Sequence, residues 1–230
     1  MTSFFDFFIE SLPSILDGLS TTILLTFISL TVGLAIGIIL ALGRVYGNKI
    51  ISSVCIAYIE IIRGTPLLVQ LFIIYFGLPS VGIILNPLSA ALVGLSLNSG
   101  AYQAEYLRGS LQSIPSGQMI AARTLGMNKL KSIQNIILPQ ALRISIPAWS
   151  NELIYLLKYT SIAYIIQVPE LTAKGKFIAS ETFRFIEIFV IIAIIYLVLT
   201  ILFTAIIDLI EKRIEIPGIG IPKKLSQRTF

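Results

Sequence analysis

The chain has 230 residues, 56% apolar and 13% charged, and a mean hydropathy of +0.90; soluble domains carry about 25% charge, so an ordinary soluble protein is excluded. One cysteine, Cys55 in an apolar run, and no histidine exclude a disulfide framework and histidine-based metal or acid–base chemistry. The net charge of +5 is scattered among apolar spans, with no aromatic-rich polar domain that would hold nucleic acid.

Residues 1–17 carry Phe4, Phe5, Phe7 and Phe8 beside Asp6 and Glu10, which predicts a short interfacial helix. That segment has no Lys or Arg, so it lacks the basic start of a cleavable signal peptide and is expected to stay on the protein. A first span follows over about 19–43, with Gly33, Gly37 and Ala41 at four-residue spacing. Small residues in that pattern allow close helix approach, or are ordinary scattered glycine. The second apolar run, about 50–78, is too long for one straight span and holds Arg63-Gly64-Thr65-Pro66. Pro66 predicts a kink there. A third span is expected over about 88–107, a polar basic stretch over 108–143, and a fourth span over about 144–166, with Pro139 and Pro147 interrupting the return. Residues 169–185 are polar again, a fifth span covers about 186–207, and residues 214–230 form a charged tail. The expected fold is an all-α membrane protein of about five transmembrane helices. A single membrane domain is expected over 18–213, since no repeat is visible.

Charge sets the expected orientation. Arg44, Lys49, Arg108, Arg123, Lys129, Lys131, Arg143, Lys212, Arg213, Lys223, Lys224 and Arg228 would lie on one side, and only Lys174, Lys176 and Arg184 on the other. The first side is expected to be cytoplasmic, which puts the N-terminus outside and the C-terminus inside.

Charged groups within spans are costly and usually face a cavity or a partner. Here they are Glu60, Arg63, Glu152 and Lys158. Helical rise places Thr65 about 24 Å, Asn98 about 15 Å and Glu152 about 18 Å from the basic side, while Lys158 lies nearer the other surface. Polar groups from three spans thus meet near mid-depth beside a broken helix, as a solute pathway requires. Asn151, Tyr155 and Lys158 share a helix face, with Glu152 beside it. The candidate substrate set is Glu152, Asn98, Thr65, Tyr155, Lys158 and Arg63. Glu60 and Arg63 also fit an internal i,i+3 ion pair. Glu152 has no basic residue at i±3 or i±4, which points to a ligand, or to a partner on another helix.

The 108–143 stretch holds five basic residues and no acid. Pro115-Ser116 predicts the start of a short helix, Gly126 its stop, and Asn128 a cap for the next. Gly117, Ala121, Ala122 and Gly126 keep that helix thin, and Arg123 and Lys129 charge its edge. Such a surface suits a groove on another protein, or lipid headgroups.

The spacing Ala121-Ala122, three residues, Gly126, nine residues, Ile136-Ile137-Leu138-Pro139 resembles the EAA loop of ABC importer permeases. Tyr102-Gln-Ala-Glu105, Arg108-Gly109, Ser113-Ile-Pro-Ser-Gly-Gln118 and Pro139-Gln-Ala-Leu-Arg143 resemble the polar amino-acid uptake branch. So do Glu60 through Leu67, Asn151-Glu152 and Lys158 through Ser161. The resemblance spans roughly residues 15–213, and Ile120 stands where the family has Glu.

It implies a type I importer transmembrane domain in a prokaryotic cell membrane, with ATPase subunits inside, a second permease copy or paralogue, and an extracytoplasmic substrate-binding protein. ATP and Mg would bind the ATPase, and this chain would hold no cofactor. Asn151-Glu152 resembles the branch for arginine, lysine and histidine. The implied ATPase-coupling residues are Gly117, Ala121, Ala122, Arg123, Gly126 and Lys129. A phosphate-binding Gly-x4-Gly-Lys-[Ser/Thr] would need Gly at Glu170 and Ser or Thr at Phe177, so the chain lacks it. The alternative is a stand-alone secondary transporter or channel using Glu152, which five spans without an inverted repeat disfavour. An intramembrane enzyme ranks below both.

Overall fold

Between Asp17 and Arg44 no residue is charged, and inside hydrocarbon a helix satisfies every backbone group from within. In the computed structural model, which describes residues 4–214, this stretch belongs to one long helix, α1 (Phe4–Tyr46). Its 43 residues reach about 64 Å, twice the hydrocarbon thickness of ~30 Å. The separate interfacial helix expected in 1–17 is not found, because Phe4 onward continues into the span through Pro13. Packing explains this. Phe7 and Ile15, on either side of Pro13, are both buried with Leu171, Ile178, Ile188 and Ile191.

Asn48 accepts from the Ile51 amide and caps α2 (Lys49–Gly64). The next helical stretch begins with α3 (Leu67–Phe72). It leaves α2 at 104°, far sharper than a proline kink. Thr65 and Pro66 both adopt extended backbone, with ψ of 143° and 136°. A residue before proline is pushed out of the helical region, so the chain turns through two extended residues instead of bending a helix.

Asn86 caps α4 (Pro87–Ser113), the central helix. It lies against α1 at close range. A Cβ on Gly33 would meet Gln103 Nε2 at 2.8 Å, and one on Gly37 would meet Gln103 Cβ at 2.9 Å. The small-residue face is therefore an interhelical seam.

Past Ile114 come α5 (Ser116–Thr124) and α6 (Lys129–Ser132). Gly126 has φ +84°, and the Met127 amide returns to the Ala122 carbonyl at 3.1 Å, so the glycine ends α5 in a left-handed turn. Asn128 accepts from the Lys131 amide and caps α6. A π-helical turn, Ile133–Ile137, leads into α7 (Leu138–Tyr159). Pro139 falls where the π-helical turn passes into α7, and the helical backbone runs on through it. Pro147 does not interrupt α7, contrary to expectation. Such prolines persist in membrane helices when neighbours hold the segment, and Ser145 and Ser150 are buried on either side. A 3-10 turn, Thr160–Ile166, precedes α8 (Leu171–Thr182) and α9 (Phe185–Ile214).

Two helices, α1 and α9, are long and apolar enough alone to cross a membrane, and the bent α2–α3 stretch is a third candidate. With 27 and 22 residues, α4 and α7 measure about 40 and 33 Å; what sets them apart is polarity. Their polar side chains meet between two apolar clusters. One is Leu25, Leu71, Leu95 and Leu156; the other is Ala41, Leu107, Leu111, Ile137 and Ala141. The expected charged tail lies outside the described residues from 215 on.

Candidate functional site

The polar layer begins on α4, where Asn98, Ser99, Gln103, Glu105 and Tyr106 lie within little more than two turns and point to different neighbours. Toward α7, the Ser99 hydroxyl donates to Glu152 Oε1 at 2.7 Å and the Tyr106 hydroxyl to Oε2 at 3.4 Å. Glu152 is only 5% exposed. No Lys or Arg forms an ion pair with it among the described residues. A carboxylate in a low-dielectric layer, held by two neutral hydroxyls, keeps a strong field for a cation. Ser99 is itself fixed: it accepts from Gln103 Nε2 at 2.9 Å, and the same amide nitrogen donates to the Leu30 carbonyl at 3.1 Å. Trp149 Nε1 donates to Gln103 Oε1. The relay Trp149–Gln103–Ser99–Glu152 thereby ties α1, α4 and α7 around the carboxylate.

Thr65 and Asn98 are brought together by a residue the sequence reading passed over, Gln70. Its Nε2 donates to the Ile62 carbonyl at 2.7 Å, the Thr65 carbonyl at 3.1 Å and Thr65 Oγ1 at 2.9 Å. Its Oε1 accepts from Asn98 Nδ2 at 3.0 Å. The carbonyl freed by Pro66 thus has a partner within the chain, as does the Thr65 hydroxyl, which donates to Ile61. Gln70 is the lone amide in the apolar run 67–76; that isolation was its signal.

Glu60 and Arg63 do not pair. Arg63 reaches α4, with its guanidinium 3.9 Å from Glu105 and 5.2 Å from the Tyr102 ring centre. Glu60 is exposed and in no ion pair among the described residues. Glu105 also accepts from Arg44 of α1 and from Arg108 at 3.0 Å, so it gathers α1, α2 and α4. Arg108 is its i+3 neighbour on α4, but Arg44 and Arg63 come from α1 and α2, which spacing along the chain does not show. Tyr155 and Lys158 are exposed on α7, the ammonium 5.0 Å from the Tyr155 ring centre. They share a face apart from the buried Glu152.

On the loop, Gly117, Ala121, Arg123 and Gly126 are exposed, whereas Ala122 is buried. Lys129 turns back, donating to the Tyr46 carbonyl at 2.9 Å, and fastens the loop to α1.

The family described as binding-protein-dependent transport system inner membrane component matches residues 33–216. The chain belongs to this family. The nopaline transport system permease protein NocM of Agrobacterium fabrum is 39% identical over 213 residues, covering 88% of each chain. The glutamine transport system permease protein GlnP of Escherichia coli K12 is 37% identical, covering 90% of this chain and 95% of the relative. The L-cystine transport system permease protein TcyB of Bacillus subtilis is 39% identical, covering 88% and 87%. Among solved structures, "Crystal structure of an amino acid ABC transporter with histidines" superposes with a TM-score of 0.83 at 39% identity, covering 93% of this chain and 99% of the other. The fold is also that of the inward-facing methionine transporter MetNI, with a TM-score of 0.71 at 21% identity. Within its family the chain is an amino-acid ABC importer permease, a transport subunit whose ATPase is a separate protein. This displaces the stand-alone carrier and the enzyme as readings.

Proposed function

We propose that this permease moves amino acids with basic side chains, and that Glu152 receives the cationic group. The buried carboxylate, in no ion pair among the described residues, supports this reading. A guanidinium could take both oxygens in two parallel hydrogen bonds, and an ammonium one. Asn98 and Thr65 act through Gln70, shaping the wall at the break. Arg63, Tyr155 and Lys158 are exposed away from Glu152, and the two cations would meet the substrate's carboxylate. Substrate would arrive from an extracytoplasmic binding protein, and two permease copies would enclose the path in the plasma membrane of a prokaryote. The N-terminus and the 169–185 stretch would lie outside, and the 108–143 loop inside. There α5, with Gly117, Ala121, Ala122, Arg123 and Gly126, would dock on an ATPase subunit that binds ATP and Mg.

Glu152→Gln keeps the shape and removes the charge. In proteoliposomes holding the complete transporter, arginine uptake should fall as expected for losing about 2–5 kcal/mol, while assembly and basal ATP hydrolysis persist. Arginine uptake at the wild-type rate in an intact complex would refute the assignment. Glutamine uptake unchanged by the substitution would show that the charge selects among substrates.

A further inference from the structure

Three guanidiniums gather on one carboxylate at the loop side of the polar layer. Glu105 immediately precedes Tyr106, whose hydroxyl reaches Glu152. Its partner Arg44 lies in the last turn of α1, and at that helix end Lys129 fastens the loop to the Tyr46 carbonyl. Arg108 lies further along α4, which leads on to α5. The cluster therefore stands between the Glu152 layer and the loop.

Glu105 needs only two of the three. Arg44 donates to its Oε1, and Arg108 donates to both oxygens from Nε, at 3.3 and 3.1 Å, and to Oε2 from Nη2 at 3.0 Å. Arg63 lies at 3.9 Å and donates no side-chain hydrogen bond among the described residues. The C-terminus of α2 favours a cation there, and the Tyr102 ring, 5.2 Å away, holds it. Neither effect calls for Arg44 and Arg108 alongside. The outcome is an excess of two positive charges around one partly buried carboxylate, where like charges repel more strongly than in open water. Glu60 of α2 pairs with none of the three arginines, and no acidic residue occurs between Glu105 and Glu152.

We propose that this cluster is a positive collar that guards Glu152 against cations approaching from the loop side. A buried carboxylate in no ion pair attracts any cation small enough to reach it. Arginines beside a route raise the energy of a passing cation and lower that of an anion. Inorganic cations and simple amines are thus held off Glu152. A solute that brings a carboxylate of its own meets the open donor fork of Arg63. The proposal rests on the reading of Glu152 as the seat of a cation, and it makes Arg44, Arg63 and Arg108 selectivity residues that act without touching that carboxylate.

The test reads the field at position 152 directly. In the complete transporter carrying Cys55→Ser, Glu152→Cys supplies the sole thiol of this chain, and inverted membrane vesicles present the loop side. Two thiol reagents of similar size are compared, one bearing a trimethylammonium and one a sulfonate group, each rate taken relative to that with a free thiol. The anionic reagent should react about tenfold faster or more, and salt raised to roughly 1 M should shrink the ratio. Arg63→Gln should lower the ratio about threefold, Arg63→Lys, which keeps the charge, should retain it, and Glu105→Gln should raise it. A role in packing alone would change both rates alike. Equal rates with the cluster intact, a ratio unmoved by both Arg63→Gln and Glu105→Gln, or no reaction of either reagent from the loop side would overturn the collar. If Arg63→Gln does not assemble, the salt series and Glu105→Gln decide. The ratio does not depend on substrate, so arginine uptake unchanged in Glu152→Gln would refute the earlier reading separately.

Discussion

The layer around Glu152 and the outward face of α5 break opposite rules. In the layer a carboxyl group is buried without an ion-pair partner among the described residues; on α5 an isoleucine is 64% exposed. Each is unfavourable for an isolated chain, because a buried charge calls for compensation and exposed apolar area costs roughly 25 cal/mol per Å2. The supports differ accordingly. Glu152 is held by a relay across three helices, whereas α5 is held mainly by Ala122, Met119 and the Lys129 bond to Tyr46. The layer is braced from three helices; the loop helix is a thin, exposed element with few ties to the rest of the chain.

The comparison breaks outright if the two regions do not lie where the charge pattern puts them. With Cys55 removed, Ser116→Cys should be closed to an impermeant thiol reagent added outside, and Ser180→Cys open to it; both serines are exposed. Equal labelling of the two would reverse or abolish the assigned sides. Next in size, Gly126→Trp should uncouple the loop. A side chain at φ +84° carries about 1–3 kcal/mol of strain, so the end of α5 shifts. ATP-driven uptake and ATPase co-purification should be lost from a permease that still enters the membrane; normal values for both would remove the loop from coupling.

Ser99→Ala sharpens the other side of the comparison. It removes one of two hydroxyls on Glu152 and leaves the carboxylate, so arginine uptake should weaken by about 1–3 kcal/mol, less than in Glu152→Gln. The effect should appear in the KM for arginine without loss of complex, and an unchanged KM would mean that the relay does not orient the carboxylate. The smallest effect belongs to an ordinary charge contact. Asp17, 62% exposed, pairs with Lys174 at 2.6 Å. Asp17→Asn should cost about 0–1 kcal/mol, and a large drop in the thermal midpoint of the complex would show that exposed charges matter here as buried ones do.

Local chemistry made much of the fold legible. Apolar runs gave the long helices, Asn128 and Gly126 marked the loop helices, and Gly33 and Gly37 marked the α1–α4 seam. The 104° turn was read only as a kink, because proline announces a break but not its angle. The Glu60–Arg63 pair was expected from spacing within one helix. Arg63 instead reaches Glu105, 42 residues further along the chain. Pro147 was expected to break a helix that its neighbours hold together. At the site, the position of Glu152 in a polar layer could be estimated from helical rise, but its hydroxyl partners could not. Ser99, Gln103, Tyr106 and Gln70 are ordinary residues until α3, α4 and α7 are docked.

One consequence of that docking concerns how α4 can move. Asn98 and Ser99 are consecutive, so their side chains leave the helix about 100° apart. One is bonded to Gln70 on α3 and the other to Glu152 on α7. Two guy-lines at nearly a right angle remove a single freedom, rotation about the long axis, because any roll that slackens one draws the other taut. Tilting together with α3 and α7 strains neither line. Any rearrangement that keeps both bonds therefore carries α4 as the mast of a block, and rolling α4 alone would first require letting go of Glu152 or of the corner at Thr65.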